Sequence, residues 1–179
     1  MGGVTFGDIL FIAFICGVIY VIMFFVHRAQ RIEARRQERV AVPVTDDEGL
    51  REILVQTSSI AIVGASNNPE RPSHRVMAYL LEAGYKIYPV APTADTILGQ
   101  PAYASLADLP EPPDVIEVFS RPEAVPEIAR EAVDCKATVL WFQEGLMSDE
   151  GLRIAHAGGL KVVVNRCMEQ EHQRLVKEH

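Results

Sequence analysis

Gly64, Ala65, Ser66 and Asn67, followed by Arg71, Ser73, His74 and Arg75, form the densest group of residues whose types could do chemistry. The chemistry they suit is anion binding rather than bond making. Gly64 has no side chain, so a phosphate could approach the backbone there. Ser66 and Asn67 add a hydroxyl and an amide, and Arg71 and Arg75 add positive charge. A helix starting at Ser73 would add free N–H groups and a partial positive charge. The same residues also suit a solvated turn on an ordinary α/β domain. The stretch has one glycine where the dinucleotide fingerprint G-x-G-x-x-G has three.

Candidates for catalysis are few. Cys167 follows Arg166, whose charge would lower its pKa and favour a thiolate nucleophile; the competing reading is a small residue closing a strand-to-helix turn. His74 could be an acid or base, but its place in the loop favours a phosphate donor or a plain turn residue. His156 reads as a helix-end residue, His172 as a surface residue, Glu117 as a paired acid within a strand, Asp114 as a turn residue and Trp141 as core. No Walker A loop, zinc cluster or Ser/His/Asp ordering is present, so no catalytic residue and no metal ligand is expected. The three cysteines (Cys16, Cys135 and Cys167) form no C-x-x-C pair, which fits a reducing compartment. A net charge of −7 without a basic, aromatic-interleaved patch argues against nucleic acid as a partner.

The elements that must position these residues alternate. Ile60 to Val63 is a β-branched apolar run that stops at Gly64, as a strand buried on both faces would. Ser73 reads as an N-cap, with Val76, Met77, Leu80 and Leu81 at helical spacing behind it and Gly84 as the helix stop. Lys86 to Val90 is a second strand. Residues 91–101 read as a loop, and Ser105 to Pro110 as a short helical turn. Asp114 to Phe119, Ala137 to Phe142 and Lys161 to Val164 are three further strands. Helices are expected after Pro122, after Ser148 and over 168–176. This order predicts a parallel sheet covered on both faces, with ligands at the carboxyl ends of the strands. The candidate segments are then 64–73, 90–92, 119–122, 143–145 and 165–167.

The N-terminal end is of another kind. Ile9 to Val26 holds no charged residue, and its eighteen residues span roughly 27 Å as a helix, extendable through Thr5 to Gly7. That suffices for a hydrocarbon core of about 30 Å. No basic residue precedes the run and no small-x-small site follows it, which disfavours a cleaved signal peptide. His27, Arg28, Arg31, Arg35, Arg36 and Arg39 come directly after it, against Glu33 and Glu38. The positive-inside rule then places the N-terminus outside and the rest in the cytoplasm. The domains expected are an anchor with a basic juxtamembrane helix over 1–39, a linker over 40–45 containing Pro43, and an α/β domain over 46–179. That domain opens with a helix capped by Thr45.

Ile62-Val-Gly-Ala-Ser-Asn-Asn-Pro-Glu-Arg-Pro-Ser-His, Gly84-Tyr-Lys-Ile-Tyr-Pro-Val, Ile97-Leu-Gly, Tyr103-Ala-Ser-Leu-Ala-Asp-Leu-Pro, Val118-Phe-Ser-Arg-Pro-Glu, Trp141-Phe-Gln and Asn165-Arg-Cys together resemble the small stand-alone CoA-binding domain proteins. Those proteins are similar to the N-terminal domain of the succinyl-CoA synthetase α subunit. The resemblance covers about residues 55–175 and leaves out the apolar N-terminus. It implies a Rossmann-like fold of about five parallel strands, with helices on both faces, here preceded by a single transmembrane helix. It further implies that Gly64, Ala65 and Ser66 lie against a CoA diphosphate, and that Arg71, Ser73 and Arg75 meet phosphate oxygens. Val90 and Pro92 would border the nucleotide, and Phe119, Ser120 and Arg121 would line its adenosine side. Two positions depart from the family: Ala91 stands where members commonly have Asn, and Asn165 where they often have Asp.

One feature of the residues alone separates the candidate ligands. NAD sites place an acid about 20 residues beyond the first glycine to hold the ribose. This chain has Tyr88-Pro-Val-Ala-Pro92 there, so CoA or NADP, each with an additional phosphate, matches Arg71, Arg75 and Arg121 better. The function expected is a membrane-anchored, cytoplasm-facing CoA-binding or acyl-CoA-binding protein without catalysis of its own. A second copy of the chain, as a homodimer, is one candidate protein partner. The alternatives are an accessory subunit of an acyl-CoA or acyl-phosphate enzyme, and an NADP-binding redox regulator.

Overall fold

The structure is a computed structural model that describes residues 43–177 and Met23. The expected membrane span and the basic segment behind it otherwise lie outside the described residues. No helix among the described residues is long and apolar enough to cross a membrane. The chain divides into two units, Met1–Val40 and Ala41–His179. The second unit carries the α/β fold.

Its elements are α1 (Asp47–Gln56), β1 (Ser59–Val63), α2 (Pro72–Glu82), β2 (Lys86–Val90), β3 (Thr96–Ile97), β4 (Gln100–Pro101), β5 (Val115–Val118), α3 (Val125–Asp134), β6 (Val139–Phe142), α4 (Asp149–Ala157), β7 (Lys161–Val163) and α5 (Met168–His172). Five strands form one parallel sheet in the order β2-β1-β5-β6-β7. The chain builds outward from β1 to β2, then crosses back to β5 on the other side of β1. The switch point is therefore the β1–β5 boundary, where open α/β sheets leave a crevice at their carboxyl ends.

Alternation along the strands sends residues to two cores. Ile60, Ile62, Val115 and Trp141 face one core with Leu50, Met77 and Leu80. Ala61, Ile116, Leu140 and Phe142 face the other with Ile128 and Ala129. The Trp141 ring is fully buried, and its Nε1 donates to the Arg166 carbonyl at 2.7 Å, as a buried indole N–H requires.

Several local expectations are corrected. Asp46, not Thr45, caps α1: its carboxylate accepts from the Gly49 N–H at 2.8 Å. Arg71, not Ser73, is the N-cap position of α2, because Pro72 fills the first helical position, where a missing N–H costs nothing. Ser73 is buried. Val44, assigned to the linker, donates its N–H to the Val162 carbonyl at 2.8 Å and so pairs with the edge strand β7. The loop over 91–101 contains the small hairpin β3–β4, turning through Leu98 (φ 47°) and Gly99 (φ 78°). Positive φ at both central residues is the two-residue turn that suits strand twist, and Leu-Gly is a weak signal for it. The C-terminal helix is α-helical only to His172 and continues as a π-helical turn over Gln173–Lys177. His172 is buried, not on the surface: its Nδ1 lies 2.8 Å from the Tyr79 hydroxyl, and Tyr79 and Tyr85 meet its ring edge-on. Burial lowers its pKa.

Candidate functional site

A cleft of about 490 Å³ opens at the β1–β5 switch point. Such a volume lies within the range of small-molecule sites, about 300–1,000 Å³. The segments following β1, β5, β6 and β7 all contribute to it: Gly64, Arg71, Ser73 and Arg75; Phe119, Ser120 and Pro122; Gln143 to Leu146; and Cys167. A second cleft of about 460 Å³, lined by Leu106, Leu109, Pro110 and Cys135 among others, lies by the segments that precede β5 and β6, away from the strand ends where ligands gather.

Gly64 makes the first turn possible. It sits at φ +82°, and a Cβ there would be 2.0 Å from the Phe119 carbonyl oxygen. Its N–H donates to the Val90 carbonyl at 3.0 Å, and the Phe119 N–H donates to the Val63 carbonyl at 2.9 Å. The glycine is therefore needed so that two loops can close on one another, besides leaving the backbone open to a ligand.

Arg71 is exposed, and no carboxylate among the described residues pairs with it. No side chain caps α2; Pro72 has no N–H and the His74 N–H donates to the Arg71 carbonyl at 3.0 Å, so among the described residues the Ser73 N–H is the first-turn donor left open beside Arg71. Arg75, by contrast, is held by Glu169 at 3.1 Å.

Of the other expected site residues, Ser73, Phe119 and Ser120 line the cleft, whereas Ala65, Ser66, Asn67, Val90, Pro92 and Arg121 do not. Ala65 and Val90 are buried. Ser66 Oγ accepts from the Asn68 N–H at 3.1 Å, shaping the loop. The Asn67 amide grips the β3–β4 hairpin: Nδ2 donates to the Thr96 carbonyl at 2.7 Å, and the Leu98 N–H donates to Oδ1 at 3.2 Å. Pro92 and Arg121 are exposed.

Cys167 lines the cleft, yet burial, first of all, pushes its thiol pKa up. The expected lowering by Arg166 does not occur, because that guanidinium reaches Glu171 at 3.2 Å. Glu117 is fully buried on β5. Gln143 Nε2 donates to its Oε1, and its Oε2 has no partner among the described residues. Burial dominates its titration and pushes the pKa up to about 8; Gln143 opposes the shift and Glu169 adds to it. Sequence reasoning reached segment 143–145 by its place after β6 but did not single out Gln143, since its partner lies 26 positions away.

A parallel sheet with its crevice at the switch point, an uncapped helix and a glycine turn defines a Rossmann-like domain with a cleft at its strand ends. The CoA binding domain family matches residues 58–173, and the chain belongs to that family. The protein YneT of Bacillus subtilis (strain 168) is 38% identical over 123 residues, which are 69% of this chain and 91% of YneT. A solved structure of a hypothetical protein from Pyrococcus horikoshii OT3 superposes with a TM-score of 0.73 at 42% identity, over 75% of this chain and 96% of that one. The ADP-forming acetate–CoA ligase II of Archaeoglobus fulgidus is 35% identical over 80 residues, 44% of this chain but 12% of the ligase.

Proposed function

We propose that this protein is a membrane-anchored, cytoplasm-facing module that binds CoA or an acyl-CoA and has no catalytic activity of its own. One observation carries the ligand assignment: the switch-point cleft brings an arginine without a carboxylate partner among the described residues, Arg71, next to an uncapped helix N-terminus. The CoA phosphates supply the anions that this wall lacks. Membership in the CoA binding domain family weighs for CoA over NADP. Arg71 and the α2 N-terminus would hold phosphate oxygens, and Gly64 would let the ligand approach the backbone. The anchor rests on the sequence: the uncharged run Ile9 to Val26 with basic residues after it. A second reading, an accessory subunit of an acyl-CoA enzyme, is favoured by the similarity to part of the acetate–CoA ligase.

Calorimetric titration of the full chain with CoA, dephospho-CoA, NADP and NAD tests the ligand. CoA should bind most tightly. Arg71→Ala should weaken it about 10–100-fold, the worth of a charge-assisted hydrogen bond. Arg75→Ala should weaken it less, because Glu169 already engages that side chain. Saturable NADP binding with no heat from CoA would overturn the assignment. For the anchor, full-length protein should pellet with membranes and stay there through an alkaline wash. Recovery in the supernatant would sink it.

A further inference from the structure

β5 is the middle strand of the sheet, and all four of its residues are buried. Three are Val115, Ile116 and Val118; the fourth is Glu117, at 0% exposure. Its register neighbours, Ile62 on β1 and Trp141 on β6, carry no charge. The titratable groups it interacts with from the start of α5 are Cys167 and Glu169, and Glu169 is itself tied to Arg75 of α2. No cation pairs with Glu117 among the described residues, although a buried carboxyl normally needs a partner.

Its one side-chain hydrogen bond among the described residues leads to the cleft. Gln143 is half-buried and lines the cleft. Its Nε2 donates to Glu117 Oε1, while its Oε1 accepts from no described residue. A side-chain amide has a donor end and an acceptor end, so whichever end is held below determines what is offered above.

We infer that Glu117 is a positioning residue: by holding Nε2 of Gln143 beneath the cleft, it turns Oε1 toward the ligand as an acceptor for an N–H group. The inference rests on the CoA reading of the cleft. CoA carries such groups in two places, the amides of its pantetheine arm and the adenine amino group. An ionised Glu117 can only accept, so it must hold Nε2. A protonated Glu117 can instead donate to Oε1 and release Nε2 toward the cleft. Because burial lifts its titration to about 8, the exchange falls within an accessible pH range.

The test is calorimetry on the full chain between pH 7 and pH 9, with wild type, Glu117→Gln and Gln143→Ala. It is paired with NMR of the Gln143 side-chain amide in the ligand-free protein. Wild-type affinity for CoA should rise up to about tenfold across that range, the worth of one hydrogen bond. Both variants should give flat profiles. The Gln143 resonance should step with a midpoint near that of Glu117 in wild type and not in Glu117→Gln. The same affinity step with 4′-phosphopantetheine assigns the donor to the arm, and with adenosine 3′,5′-bisphosphate to the adenine. A step that persists in Glu117→Gln overturns the inference, as does CoA binding with no step and a stationary resonance; the CoA reading then stands. A moving resonance with no CoA heat leaves the Glu117–Gln143 coupling in place and removes the CoA reading instead.

Discussion

Gly64→Ala is expected to lower the stability of the domain by about 2–5 kcal/mol. Two costs combine. At φ +82° an alanine sits in the left-handed region, which costs about 1–2 kcal/mol. Its Cβ would also be built 2.0 Å from the Phe119 carbonyl oxygen, a backbone atom that cannot swing aside. Overpacking of this kind adds about 1–3 kcal/mol. The Gly64–Val90 and Phe119–Val63 backbone hydrogen bonds hold both sides of the contact, so relief by loop movement means breaking them. At roughly 3–4 °C per kcal/mol the thermal midpoint should fall by about 6–20 °C. Gly84→Ala is the internal comparison. Its φ is +95°, but nothing lies within 4 Å of the added Cβ, so only the backbone cost of about 1–2 kcal/mol applies. Thermal unfolding followed by circular dichroism decides the matter. Equal losses in the two variants would show that the Phe119 contact opens without cost.

The second large effect is on the pH dependence of stability. The folded protein holds the Glu117 proton up to about pH 8, whereas an unfolded glutamate releases it near its ordinary value of 4.5. Between those two values the native state binds more protons than the unfolded state, so stability falls as pH rises. The contribution is full below the unfolded pKa and gone above the folded one. Glu117→Gln has no proton to lose, and its stability should not carry this slope. The difference between the two profiles should change by a few kcal/mol, to order of magnitude, from pH 5 to pH 9. Urea unfolding at pH 5, 7 and 9 measures it, and other titrating groups cancel because both proteins share them. Parallel profiles would mean that Glu117 ionises as an exposed acid does.

The range of the forces involved sets how much of the fold and the cleft was legible in the chain. The order of the five strands of the main sheet and of the helices between them, the parallel sheet, the turn at Gly64 and the location of the cleft at strand ends were all visible in the sequence; the hairpin β3–β4 was not. Each depends on neighbours within a few positions: β-branched runs such as Ile60 to Val63, helical spacing such as Val76, Met77 and Leu80, and glycines at the stops. The family resemblance was legible for the same reason, since its motifs are short segments in a set order. Even there, the choice between Thr45 and Asp46 as the cap turned on backbone angles that two adjacent capping residues do not decide, and the choice between Ser73 and Arg71 turned on Pro72 taking the first helical position.

Tertiary structure alone decided the uses of residues whose partners are distant in the chain. Asn67 has a ligand-like amide, but the hairpin 29 positions on takes both of its ends. His172 looks like a helix-surface residue until Tyr79 and Tyr85 close over it. Arg166 stands next to Cys167 yet spends its charge on Glu171. Glu117 could be read only as an acid in a strand. Its place beneath the cleft, with Gln143 as its partner, comes from β5 pairing with β6 in one register. Local periodicity and sterics thus determined the frame and its glycine turn, because they act within one element. Long-range packing determined which polar groups remain free to meet a ligand, because every such group is first offered to the rest of the fold.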